Sequence, residues 1–355
     1  MRILYIITSL YTGGAERLMV DIIPRLKMRG LDVELLVFDG TITPFYEELS
    51  KEIVTIHSFG KGRIYNPFFI VKMIPFLKRY DIIHTHNTAP QLFTAIANLF
   101  TRKKLVYTEH STDNNRRSLW WFKTFDKWCY RQYHKIICIS SKAEDNLRQY
   151  LGRGDSRIIT INNGVDINRI STSTISSELQ DAKGDDFIVT MVAGFRKEKD
   201  QDTLIRAIDT LPKGIKLWLI GDGARRLDLE RICNELDLNE RVKFWGMRTD
   251  VPSILKASDV VVMSSHYEGF GLASVEGMAA GKPMIASGVD GLKQVVEGYG
   301  IIFPHQNDKI LAKEIERLYN DSEYYNEIAE SCLQRAKDFD IKKMVDGYID
   351  VYHSL

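Results

Sequence analysis

Short runs rich in Val, Ile and Leu alternate with helix-period segments along nearly the whole chain. A strand inside a parallel sheet is covered on both faces, so it reads as a continuous apolar run, and the helices that cover it follow in sequence. This alternation confines the chain to α/β architecture. In the first half the strand candidates are Ile3–Ile7, Val33–Phe38, Ile53–His57, Ile82–His84, Leu105–Thr108, Ile136–Ile139 and Ile158–Ile161. Asn162-Asn163-Gly164-Val165-Asp166 then forms a turn, and residues 167–184, with Ser171 to Ser177 at their centre, lose periodicity and read as a linker. A second series runs through Phe187–Val192, Lys216–Ile220, Val242–Trp245, Val260–Met263, Pro283–Ala286 and Ile301–Phe303. Helical patterns lie between these strands and fill the tail from Leu311 onward. Two doubly wound, Rossmann-like domains, 1–166 and 185–335, are therefore expected, with ligands in a cleft at the carboxyl ends of their strands.

A length of 355 residues suits two domains. No run reaches the ~18 apolar residues of a membrane span. The apolar start is too short for a signal peptide, because Glu16 and Arg17 follow soon after. Cys129, Cys138, Cys233 and Cys332 lie far apart and suggest free thiols in a reducing cytoplasm. The formal charge of +1 conceals an asymmetry. Residues 1–166 hold 24 Lys and Arg against 16 Asp and Glu, a net of +8, whereas the remainder holds 24 against 31, a net of −7. One half therefore faces something anionic.

Three loops carry chemistry. Gly13-Gly14 follows the first strand and opens a helix, where bare backbone can approach an anion. The third glycine of the dinucleotide fingerprint is missing, which argues against a dehydrogenase. Ala193-Gly194-Phe195-Arg196-Lys197-Glu198-Lys199 leaves the first strand of the second series, where Arg196 and Lys199 are potential donors to a diphosphate. Strand Val260–Met263 runs into Glu268-Gly269-Phe270-Gly271-Leu272 and a helix bearing Glu276. The glycines expose amides to phosphate or sugar, and a carboxylate in an otherwise apolar helix needs a partner, such as ribose hydroxyls.

The spacing of Glu268 and Glu276 inside EGFGLASVEGMAAGKP, with IGDG at 220–223, FWG at 244–246 and NNGVD at 162–166, resembles the retaining GT-B glycosyltransferases of family 4, also called glycosyl transferases group 1. The resemblance covers nearly the whole chain. It implies sugar transfer from a nucleotide-diphosphate donor, UDP favoured, with retention and with neither cofactor nor metal. It further implies an acceptor-binding first domain, a nucleotide-sugar-binding second domain, and a final helix, 336–355, crossing back to the first.

Carried over, Glu276 would hold the ribose and Glu268 the donor sugar. The backbone of Gly269, Phe270, Gly271 and Leu272 would meet sugar and phosphates. Arg196 and Lys199 would neutralise the leaving diphosphate, with Gly14 supporting it from the first domain. His110 matches the family's histidine near the anomeric carbon and is the candidate general base. Two departures stand out: Phe195 fills the usual arginine position, and Gln294 replaces the Glu of a later G-x-x-E turn, so Gln294 is assigned no role. Gly13 and His86 are candidates for acceptor contact. His84 and His86 alternate along a strand, so only one of them is expected to face the cleft.

The segment Leu119 to Arg131 places Trp121, Phe125 and Trp128 on one helical face, read as core. Lys123, Lys127 and Arg131 form another face, beside Arg116 and Arg117, and Arg102-Lys103-Lys104 adds to it. The expected partners are a nucleotide-sugar donor, a glycan or polyprenyl-diphosphate-linked acceptor, and an anionic membrane at the cytoplasmic face. No nucleic-acid-binding module is present. The alternatives are a nucleotide-sugar 2-epimerase on the same fold and a non-catalytic sugar-binding protein.

Overall fold

A computed structural model describes residues 1–11, 13–62, 64–110 and 120–355, and for Trp121 the backbone alone. Arg116, Arg117 and the Trp121 side chain lie outside the described residues. The chain divides into two units, one of Met1–Asn163 with Ile341–Leu355 and one of Gly164–Asp340.

The first unit holds a seven-stranded sheet, β1 (Arg2–Ile7), β2 (Asp32–Val37), β3 (Ile56–Ser58), β4 (Ile82–His86), β5 (Lys104–Glu109), β6 (Lys135–Cys138) and β7 (Ile158–Thr160), in the order β3-β2-β1-β4-β5-β6-β7. The second holds six, β8 (Phe187–Val192), β9 (Ile215–Ile220), β10 (Val242–Gly246), β11 (Val260–Met263), β12 (Met284–Ser287) and β13 (Ile301–Phe303), ordered β10-β9-β8-β11-β12-β13. Every pairing is parallel. Because strand order reverses beside β1 in one sheet and beside β8 in the other, the loops after β1, β4, β8 and β11 flank the switch points where open α/β sheets bind ligands.

Three expectations need correction. Residues 167–184 form no open linker but two short helices, Ile167–Ser171 and Ser177–Lys183, within the second unit. Leu179 is buried in a cluster with Ile188, Trp218 and Ile254. Lys183 Nζ also lies 2.6 Å from Asp259, whose carboxylate accepts from the Ile188 amide as well. One buried leucine and one ion-paired lysine thus dock a polar segment.

The break expected at 336 falls later. Helix Ser322–Ala336 and Phe339 stay with the second unit, where Phe339 packs edge-on against Phe270. Helix Ile341–His353 belongs to the first, with Tyr348 and Tyr352 fully buried. The third correction concerns helix Trp120–Arg131. Its buried face is Asp126, Cys129 and Tyr130, while Phe125 is exposed and stacks on Trp128 at 5.7 Å between ring centroids. Three-residue spacing alone cannot say which of two adjacent faces turns inward.

Among the described residues, no helix is long and apolar enough to cross a membrane. All four cysteines are free and buried.

Candidate active site

In the second unit β8 delivers Gly194 and Phe195 to the switch point. Phe195 is fully buried, its ring edge-on to Phe244, so it serves the core. Arg196 turns outward, 3.6 Å from Glu198 and mostly exposed. Residues Lys197–Lys199 make a single 3-10 turn that points Lys199 across to the neighbouring loop, with its Nζ 2.6 Å from Glu268 Oε1. Asp200 then adopts a left-handed conformation (φ 50°) and caps helix Gln201–Asp209 by accepting from the Thr203 amide.

The loop after β11 is stitched to this one. The His266 amide donates to Glu198 O at 2.9 Å, and the Ser264 hydroxyl donates to Asp200 O at 2.7 Å. Ser265 Oγ donates to the same Glu268 oxygen at 3.1 Å, so that carboxylate is held from two sides. Gly271 starts helix Leu272–Ala279 at φ +83°, where a side chain would be strained, and no side chain caps the helix. Its first amides and positive dipole end are therefore available to an anion. Glu276 enters one turn later and is partly buried.

Two positions given no role support this loop. Gln294 Nε2 donates to Gly269 O (3.3 Å) and Gly291 O (3.1 Å). Gly291 allows close approach: a Cβ there would stand 1.9 Å from Glu268 O. The sequence signal was present in Gly291-Leu292-Lys293-Gln294, but an amide in place of the usual carboxylate hid it.

In the first unit Gly13 is extended and caps helix Gly14–Met28 without a side chain. Asn87, at the end of β4, donates to Glu16 Oε1 at 3.3 Å and so ties the β4 turn to that helix. His84 and His86 do not take opposite faces. Residues two apart on a strand share a face, and the two rings lie 4.5 Å apart, both fully buried. His84 is enclosed by Tyr352 Oη (2.6 Å) and Thr108 Oγ1 (2.7 Å), while Tyr352 also bonds to Tyr5. His86 Nδ1 lies 2.8 Å from His110 Nε2, which places His86 behind His110 rather than open to an acceptor.

His86 Nε2 is buried with no partner. An unpaired lone pair costs less there than an unpaired N–H, so His86 carries its proton on Nδ1 and donates it to His110. His110, accepting on Nε2, then carries its own proton on Nδ1. Desolvation holds His84 and His86 well below the ordinary imidazole range, helped by the neighbouring rings, and pulls His110 down to about 4. The cluster is neutral at physiological pH.

Comparison with known proteins bears on the family and the fold. Residues 12–169 match the family described as Glycosyltransferase Family 4, and residues 174–335 match Glycosyl transferases group 1. The lipopolysaccharide core biosynthesis glycosyltransferase LpsD of Rhizobium meliloti is 28% identical over 96% of this chain and 95% of its own. The UDP-Gal:alpha-D-GlcNAc-diphosphoundecaprenol alpha-1,3-galactosyltransferase of Escherichia coli is 26% identical over 78% and 76%. Among solved structures, Anabaena HepE in complex with UDP-glucose is 25% identical, with a TM-score of 0.87 over 100% of both chains. Two adjoining family matches, two parallel sheets and this likeness in fold lead to one identification: the chain belongs to glycosyltransferase family 4 and is a GT-B glycosyltransferase.

Proposed function

We propose that this glycosyltransferase moves a hexose from a UDP-sugar, with retention of anomeric configuration, to a glycan or polyprenyl-diphosphate-linked acceptor in cell-surface polysaccharide or lipopolysaccharide synthesis. The observation that carries this reading is the Lys199–Glu268 pair beside an uncapped helix start. Breaking the bond between sugar and diphosphate puts negative charge on phosphate and positive charge on the ring. Lys199, Arg196 and the amides from Gly271 onward answer the first charge, and Glu268 the second. Glu276 receives the ribose hydroxyls, and Gly14 supports the diphosphate.

Fixed cations and helix amides take the place of a divalent ion in the chemical step. A histidine with a pKa near 4 is a weak base at neutral pH. His110 therefore serves as a hydrogen-bond donor to the sugar, and the departing phosphate takes the acceptor's proton as the hydroxyl attacks on the same face. Support for UDP comes from HepE, solved with UDP and with UDP-glucose. Support for the acceptor class comes from the names of the Rhizobium and Escherichia relatives.

The same reading places the enzyme peripherally on an anionic cytoplasmic leaflet. Trp120 is 85% exposed and Phe125 37%, beside Lys123 and Arg131. Aromatic and basic side chains together suit a head-group region. A thermal-shift screen of UDP- and GDP-sugars, followed by NMR of the product's anomeric centre, tests the chemistry. Stabilisation by GDP-sugars alone, or an inverted product, refutes it. Co-sedimentation with vesicles should rise with anionic lipid and fall with salt; indifference to anionic vesicles at low salt rejects the membrane reading.

A further inference from the structure

The loops that present Lys199 and Glu268 carry a second cluster that the transfer reaction does not use. Asp200 follows β8, His266 follows β11 and His305 follows β13, so three segments distant in sequence converge. His266 Nδ1 lies 2.6 Å from His305 Nε2 and 3.4 Å from Asp200 Oδ2, and one ligand atom from each residue falls within 4.8 Å of the others. Among the described residues this is the only group of three potential metal ligands so gathered.

We propose that Asp200, His266 and His305 form a binding site for a divalent transition ion of the zinc class. Two imidazoles and one carboxylate are the donor set of three-ligand zinc sites, which leave a position for water. Ligands of one tetrahedral zinc stand about 3.3 Å apart, given Zn–N bonds of ~2.0–2.1 Å. The Asp200–His266 spacing meets this directly. The two imidazoles open by roughly 0.7 Å to admit the ion, which His305, exposed on its turn, accommodates.

Asp200 is nearly fully buried and already anchored by Thr203, whose hydroxyl donates to Oδ2 at 2.7 Å. Such an outer hydrogen bond orients a ligating carboxylate. The bound ion clips the β13 turn to the two loops already joined by the His266 amide and Glu198. Its role is to hold those loops, distinct from the diphosphate-neutralising role of Lys199 and Arg196.

The test uses the full chain, stripped with chelator and titrated with Co²⁺ alone and Zn²⁺ alone. One equivalent should bind, Co²⁺ should develop visible d–d absorption, and Zn²⁺ should raise the thermal midpoint. His305→Gln, at an exposed position, should weaken Zn²⁺ at least 10-fold. Asp200→Asn keeps a good helix cap while weakening ligation, and should do likewise with the circular dichroism unchanged. No binding to the wild type, or equal affinity in wild type and the His266→Gln/His305→Gln double variant, overturns the proposal. In that case the pair is only a hydrogen-bonded imidazole couple.

Discussion

Lys199 Nζ stands 2.6 Å from Glu268 Oε1, so the two groups assigned to opposite charges of the departing donor neutralise one another before it arrives. Both side chains are largely shielded from water, 19% and 10% exposed. On the proposed reading, a diphosphate would compete with Glu268 for the lysine, and until then the pair keeps an unpaired cation out of a partly dry site.

This relationship predicts opposite effects for its two members. Lys199→Ala should weaken UDP binding roughly 10- to 100-fold, the loss of one charge-assisted hydrogen bond of about 1.5–3 kcal/mol. Glu268→Gln should leave UDP binding equal or tighter, yet cut transfer by roughly 100-fold or more. Calorimetry with UDP and a single-turnover assay measure both, and weaker UDP binding in Glu268→Gln contradicts that competition.

Glu276 begins the second turn of a helix whose neighbours are apolar. Glu276→Ala should lower donor affinity roughly 10-fold or more by removing the ribose acceptor, with the protein still folded by circular dichroism. Equal donor affinity in mutant and wild type dismisses the ribose role.

Transfer should survive EDTA. The variant suited to this test is His266→Gln/His305→Gln, which lacks the proposed zinc-class cluster, so that any chelator effect reports on the reaction itself. Restoration of a lost activity by magnesium or manganese disproves the metal-free chemical step.

The buried histidines make stability depend on acid. His110, held at about 4, is neutral in the folded state, while the unfolded chain protonates near the ordinary pKa of ~6.5. Below that value the unfolded state binds more protons, so stability is complete above about pH 6.5 and falls as pH drops toward 4. His84 and His86 act in the same direction. Urea midpoints for the wild type should decline over this window, and His110→Gln should flatten the decline. Identical slopes exclude His110 as a contributor.

The returning helix is testable through one hydroxyl. Tyr352→Phe deprives the buried His84 Nδ1 and Tyr5 hydroxyl of their shared partner, at a cost of about 1–3 kcal/mol. A denaturant midpoint equal to that of the wild type removes this hydroxyl from the helix's anchorage.

Sequence alone was enough for everything set by local pattern. The thirteen strands among the described residues stand within a few residues of their apolar runs, because an apolar strand between helices is legible from its own residues. The EGFG turn and Glu276 are likewise visible, since glycines at a strand end declare a bare-backbone loop. What the tertiary structure decided concerns which groups meet. Leu179 draws a polar stretch into a core, and Asp126, Cys129 and Tyr130, rather than Phe125, face inward on their helix. His86 stands behind His110, Gln294 holds Gly269, and Lys199 reaches Glu268. Asp200, His266 and His305 converge from the ends of three strands. Such pairings depend on strand order and on the exit direction of each loop, and these emerge only when whole sheets are assembled by non-local burial.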